Sequence, residues 1–169
     1  MMKTKLIVFR GPSASGKSTV AQGIAERSDR KVALLEEDHF RRVILQAKEP
    51  IEMRRAICKQ MLADNALTAL RSGFDVILEG ILSKEHYVDM LDGLFRQHPG
   101  ENYLFHFDVS LEETLHRHST KPIRDEVSEA QLREWYAAGA PMDFDFQELV
   151  PESLAVDQAI ARIRVATGL

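Results

Sequence analysis

The run Gly11-Pro12-Ser13-Ala14-Ser15-Gly16-Lys17-Ser18 carries the clearest chemistry in the chain. It fits the pattern G-x-x-x-x-G-K-[ST], a phosphate-binding loop. Gly11 and Gly16 let the backbone turn tightly and present bare N–H groups to an anion. A helix opening at Lys17 adds the positive end of its dipole. Lys17 is placed to reach the β- and γ-phosphates of a nucleoside triphosphate, and the Ser18 hydroxyl to ligate Mg2+. Ser13, Ala14, Ser15 and Thr19 complete the stretch that wraps the phosphates. A second constellation follows at Asp38-His39-Phe40-Arg41. On a helix start, positions i and i+3 share a face. A carboxylate there takes the proton of an attacking hydroxyl, and an arginine one turn on holds an anionic or polar acceptor. The plainer reading makes Asp38 a helix N-cap with Arg41 and Arg42 solvated. Glu36 and Glu37 precede Asp38, so Glu37 is an alternative base.

The elements that must position these groups are legible in the periodicity. Lys5 to Arg10 is an apolar run of strand length leading into the loop, and the residues after it have helical spacing. A second strand over 32–35 delivers the acidic cluster at its C-terminal end. The spacing predicts a helix over 40–47 and a long one from Pro50 to Ser72, with Pro well placed near the first helical position. A third strand over 74–80 ends on Glu79, and Ser83 can cap a helix reaching Gln97. A fourth strand spans 103–109. Ser110-Leu111-Glu112-Glu113 and Ser128-Glu129-Ala130-Gln131 read as capping boxes that open two further helices. Residues 139–151 read as an irregular loop, 153–156 as a short fifth strand and 157–166 as a closing helix. Strands alternating with helices give an α/β fold with a mostly parallel sheet, which binds ligands at the carboxyl ends of its strands. The phosphate loop, Asp38, Glu79 and Asp108 all fall there.

Composition narrows the function classes. The 169 residues, 44% hydrophobic and 28% charged, suit one soluble globular domain. A net charge of −4 argues against general binding to nucleic acid or anionic membrane. The single cysteine excludes an internal disulfide framework. The N-terminal apolar run is too short for a signal-peptide core, and no stretch approaches membrane-spanning length. The expectation is a cytoplasmic protein, monomer or homodimer.

These motifs make the chain resemble the P-loop kinases that phosphorylate hydroxyl groups. Its similarity is to polynucleotide-kinase-like and zeta-toxin-like phosphotransferases, including the chloramphenicol phosphotransferase type. The resemblance rests on the phosphate loop, on Asp38-x-x-Arg41 and on the basic stretch from Arg117 to Arg124, and it covers nearly the whole chain. It implies a three-layer α/β/α P-loop NTPase fold with a five-stranded, mostly parallel sheet. Residues 1–169 would form a single kinase domain with a helical lid at about 116–137. It further implies that Lys17 and Ser18 bind phosphates and Mg2+, that Asp38 is the general base and that Arg41 contacts the acceptor. Arg117 and Arg124 would neutralise charge on the transferring phosphoryl group, with Lys121 competing for that role. Leu78-Glu79-Gly80-Ile81-Leu82 is similar to the E-G-I-L stretch of uridine kinases, which implies that Glu79 holds a metal-bound water or the acceptor. The third strand ends in Glu where Asp is usual, and residues 46–55 and 139–148 match no acceptor site of the family.

The function implied is ATP-dependent transfer of a phosphoryl group to a hydroxyl of a small molecule: a nucleoside, sugar or antibiotic. A 5′-hydroxyl polynucleotide kinase is the alternative, and a nucleotide-binding regulatory switch is the alternative of another class. Other features weigh less. His116 and His118 point apart on a helix and imply no metal site. His39 reads as a lining residue. Trp135 and Tyr136 either stack on an acceptor ring or pack inward.

Overall fold

The computed structural model describes residues 3–46, 50–119 and 128–169. Its strands are β1 (Lys5–Arg10), β2 (Val32–Glu36), β3 (Asp75–Glu79), β4 (Glu101–Asp108) and β5 (Gln147–Pro151). They form one sheet in the order β2-β3-β1-β4-β5, and every neighbouring pair is parallel. The helices are α1 (Lys17–Arg27), α2 (Glu37–His39, continued by a π-helical turn over Phe40–Ile44), α3 (Ile51–Arg71), α4 (Lys84–Gln97), α5 (Leu111–Ser119), α6 (Glu129–Ala138) and α7 (Val156–Thr167).

Alternation along β1 builds the three layers. Leu6 and Val8 point to one face, where Cys58, Leu62 and Ala66 of α3 and Leu91 and Leu94 of α4 close the core. Ile7 and Phe9 point to the other, against Val20 and Ile24 of α1 and Ile160 and Ile163 of α7. Both faces of the central strand are therefore buried, which is why it reads as an unbroken apolar run. Each such side chain contributes about 1.5–3 kcal/mol by leaving water. The chain leaves β1 toward β2 and leaves β4 toward β5, on opposite sides of the sheet. The crevice between β1 and β4 is thus the topological switch point, and the phosphate loop stands at its carboxyl end.

Most predicted elements stand where the periodicity places them, with one correction. The fifth strand is Gln147–Pro151, inside the segment read as loop, and the apolar run after it turns into α7. β5 is an edge strand with a single neighbour. It buries Val150 while Leu149 stays 47% exposed, so it lacks a strand's apolar signature. Its terminal Pro151 is tolerated because no further strand pairs there. The capping boxes divide. Ser128 Oγ accepts from the Gln131 N–H at 3.2 Å, and Gln131 returns the bond to the Ser128 N–H at 3.0 Å. Ser110 accepts from the Glu113 N–H, but its own N–H donates to Glu152 at 2.8 Å, while the Glu113 carboxylate turns to Arg117. Ser83 sits at the N-cap of α4 without a side-chain cap bond.

At the amino end of the sheet, Asp75 is buried and fully engaged. One carboxylate oxygen accepts from the Lys5 N–H at 2.8 Å and from Arg30 at 2.8 Å, and the other pairs with Arg30 Nε.

Candidate active site

The phosphate loop is shaped by its glycines. Gly11 has φ +139 and lies so close to β4 that a Cβ would meet the Phe107 carbonyl oxygen at 2.6 Å. Gly16 takes the left-handed conformation, φ 96, as the N-cap of α1. That turn aims the first N–H groups of α1, which have no intrahelical partner, into the space above the loop. Lys17 is buried, and its ammonium arches over the loop to the carbonyls of Gly11 (3.1 Å) and Pro12 (2.6 Å) and to the Ser15 hydroxyl (3.1 Å). It is thus a cation held at the loop's rim. Ser13, Ala14 and Ser15 form the loop's crest, and Thr19 follows Ser18 in the first turn of α1.

Pairing register explains how Glu79 reaches this loop. Glu79 lies beside Phe9 across β1 and beside Glu36 across β2, on the face that α1 covers. Its Oε1 accepts from the Ser18 hydroxyl at 2.9 Å. Burial pushes its carboxyl above the ordinary range, and the nearby charge of Lys17 opposes that shift.

Beyond β2, the helical turn separates two neighbouring acids. The Glu37 side chain is only 7% exposed and the Asp38 side chain 58%. Glu37 Oε1 accepts from the Tyr87 hydroxyl at 2.9 Å and lies 3.3 Å from Arg41 Nε. Burial raises its carboxyl, with Arg41 pulling the other way. Asp38 pairs with Arg41 at 2.5 Å and with Arg42 at 3.5 Å. The expected i, i+3 geometry of Asp38 and Arg41 is therefore present, with Glu37 as an anchor behind it.

A cavity of about 260 Å3 unites these groups. Lys17 and Ser18, Glu36 to His39, Arg41, Arg42, Glu79 and, from α6, Trp135 all line it. Its donor set suits Mg2+, a hard cation that takes one or two carboxylates and leaves the rest of its shell to phosphates and water. Ser18 and Glu79 supply such oxygens, and among the described residues no three His, Cys, Asp or Glu side chains converge into a complete cage. A second cavity, about 570 Å3, lies on the other side of the loop between the ends of β4 and β5 and the start of α7. Its walls mix Ala14, Ser15, Gly16 and Thr19 with Phe107, Val109 and Leu154.

Arg117, read from the sequence as the first basic residue of a lid, reaches the loop itself. It donates to the Ser15 carbonyl at 3.2 Å and the Glu152 carbonyl at 3.3 Å, and is held by Glu113 at 2.6 Å. Arg124 and Lys121 lie outside the described residues, and of the segment read as a lid the structure describes the end of α5 and α6.

Three groups escaped the sequence reading. Arg10, the last residue of β1, is fully buried. It donates to the Leu82 carbonyl at 3.2 Å and meets His106 Nδ1 at 3.2 Å, its register partner on β4. Burial lowers Arg10 to about 10. Burial and then the Arg10 charge hold His106 near about 4, so its ring is neutral at physiological pH. A charged residue closing an apolar strand was the only available signal. Tyr87 gave none, because its role depends on α4 packing beside the start of α2. Glu152, which caps α5 from the end of the neighbouring strand β5, gave none either.

Comparison with known proteins follows this geometry. Residues 6–142 match the family described as AAA domain. No curated protein matches the sequence at a significant level. Among solved structures, the chain superimposes on an unliganded sugar kinase from Janibacter sp. HTCC2649 with TM-score 0.74 and 22% identity, over 96% of this chain and 93% of that one. It superimposes on the Mycobacterium tuberculosis APS kinase CysC, in complex with AMPPNP and APS, with TM-score 0.73 and 17% identity, over 98% and 99% of the two chains. A gluconokinase from Sinorhizobium meliloti 1021 gives TM-score 0.66 and 18% identity, over 99% and 96%. At these identities the likeness is one of fold, and it matches the parallel sheet and loop described above. With the family match spanning most of its length, the chain belongs to the AAA domain family and has the fold of a P-loop kinase-like domain.

Proposed function

We propose that the protein is an ATP-dependent kinase that transfers the γ-phosphoryl group to a hydroxyl of a small molecule such as a nucleoside, sugar or antibiotic. One observation carries this reading: a single cavity is lined by a phosphate-loop lysine, the Ser18–Glu79 pair and the exposed Asp38–Arg41 pair. The larger cavity, with its apolar walls on the far side of the loop, suits the nucleoside end of ATP. Fold neighbours that are a sugar kinase, a gluconokinase and an APS kinase support the class.

In this reading the acceptor oxygen attacks the γ-phosphorus, the bond to the β–γ bridging oxygen breaks, and ADP leaves. Asp38 takes the acceptor's proton. It is favoured over Glu37 because its side chain is 58% exposed at the cavity wall, whereas the Glu37 side chain is 7% exposed and accepts from the Tyr87 hydroxyl. Arg41 orients the acceptor. Lys17 and Arg117 neutralise charge on the phosphoryl oxygens, and Arg124 joins them from the lid. Ser18 and Glu79 would hold Mg2+, which supplies further charge neutralisation on the phosphates. Catalysis of this kind is mainly positioning. The net charge of −4 favours a small acceptor over a polynucleotide. Among the described residues no helix is long and apolar enough to cross a membrane. A cytoplasmic location and a monomer or homodimer complete the proposal.

The test is ADP formation from Mg-ATP with pooled nucleosides, sugars, antibiotics and 5′-hydroxyl oligonucleotides. Stimulation by one of the small-molecule pools, absent in Asp38→Asn, is the expected result. Stimulation by the oligonucleotides alone would identify a polynucleotide kinase. ATP binding with no stimulation by any pool would favour a nucleotide-dependent switch.

A further inference from the structure

We propose that Trp135 is the acceptor platform of the smaller cavity: its indole face receives a cyclic acceptor, the C–H face of a sugar ring or the base of a nucleoside. The proposal rests on the kinase reading above and narrows its substrate class.

The lining of the cavity is mostly charged or small. Lys17, Arg41, Arg42 and the acidic groups recognise phosphates, metal and a hydroxyl, and Ile81 adds one aliphatic side chain. Among the described lining residues, Trp135 supplies the largest flat apolar surface, beside the smaller rings of His39 and His118. An indole face is complementary to the flat face of a ring and has no counterpart on an open-chain polyol.

Two contacts fix α6 relative to the phosphate loop. Leu132, one turn earlier on the same face of α6, is 1% exposed and seats the helix. At the other end Gly139 presses backbone to backbone on the phosphate loop. A Cβ on Gly139 would meet Pro12 N at 2.9 Å and Gly11 C at 3.0 Å. The helix bearing Trp135 therefore rests directly on the loop bearing Lys17, and the distance between platform and phosphoryl donor is set by packing. Trp135 is nonetheless only half-buried, and it lines the cavity.

Trp135 is the single tryptophan of the chain, so its emission reports on this wall alone. The protein, saturated with Mg-AMPPNP, is titrated with adenosine, cytidine, D-ribose and D-glucose as cyclic probes and with glycerol and D-gluconate as open-chain ones. Fluorescence and calorimetry are read together. A saturable change in emission with at least one cyclic probe is expected. Its calorimetric affinity should fall about tenfold to a hundredfold in Trp135→Ala. Trp135→Phe, which keeps an aromatic face, should stay within about threefold of wild type. AMPPNP affinity should be unchanged in both variants, which separates a platform from a general structural role. Gly139→Ala, which forces α6 away from the loop, should weaken the same probe. Three results overturn the proposal: no cyclic probe perturbs the indole, Trp135→Ala binds the probe as wild type does, or the open-chain probes bind as tightly as the cyclic ones. The kinase reading fails separately, through loss of AMPPNP binding or undiminished turnover in Asp38→Asn.

Discussion

The strand β3 carries a buried carboxylate at each end, and the two are treated differently. Asp75, at the amino end, is met by a full complement of donors, the Lys5 N–H and two nitrogens of Arg30. Glu79, at the carboxyl end, is almost as buried yet takes its hydrogen bond from one hydroxyl, and burial raises its carboxyl. The contrast extends across the sheet. At the amino end, Lys5 pairs with Glu101. At the carboxyl end, Arg10 leans on a carbonyl and a neutral histidine. One end satisfies its charges and contributes stability. At the other, burial disfavours the charged forms of Glu79 and Arg10, beside the loop where a polyanion and its counter-ion would bind.

Breaking the amino end should have the largest effect on stability. Asp75→Ala leaves the buried Lys5 N–H without its acceptor and frees Arg30 toward solvent, and leaving such a buried donor unsatisfied costs about 1–3 kcal/mol. Denaturant unfolding measures that loss, and turnover per folded molecule should not change. A comparable loss of turnover at full folding would mean that the two ends are not independent.

Glu79→Gln sharpens the comparison with the opposite sign. A carboxyl whose folded pKa is raised contributes stability at low pH and loses it as pH rises through the folded value. Replacing it by a neutral isostere should therefore stabilise the protein above neutrality, with Tm up by about 2–4 °C per kcal/mol of relieved charge. The gain should vanish as pH falls toward the ordinary glutamate range, about 4.3. Phosphoryl transfer should drop at the same time. A Tm that falls at pH 8 would show that the Glu79 charge is already stabilised in the fold.

The smallest effect is expected from Tyr87→Phe. It removes the hydroxyl that Glu37 accepts from and should cost about 1 kcal/mol in a thermal melt. Because Glu37 also braces Arg41, the acceptor KM should rise while kcat holds. A change confined to kcat would instead place Glu37 in the chemistry.

What the sequence revealed was local, and what it hid depended on distance. The phosphate loop, the strand before it and the helix after it are one contiguous stretch, so residue type and spacing suffice to read them. The Asp38–Arg41 pair is legible for the same reason, since i, i+3 proximity follows from a single helical turn. Choosing Asp38 over Glu37 was not possible, because the difference is burial, set by α4 bringing Tyr87 from far along the chain. Arg10 looked like a strand's polar end until register placed it against His106. β5 was misplaced because an edge strand buries one side chain where a central strand buries all of them.

The central claim is that Asp38, open at the carboxyl end of the sheet, removes the acceptor's proton. The most direct measurement is single-turnover transfer from Mg-ATP to the stimulating acceptor by wild type and by Asp38→Asn, with AMPPNP affinity read on the same samples. The account predicts a fall of at least about a hundredfold in the transfer rate. AMPPNP affinity should stay close to wild type. Transfer at the wild-type rate by Asp38→Asn would contradict it and move the base elsewhere, with Glu37 the first candidate.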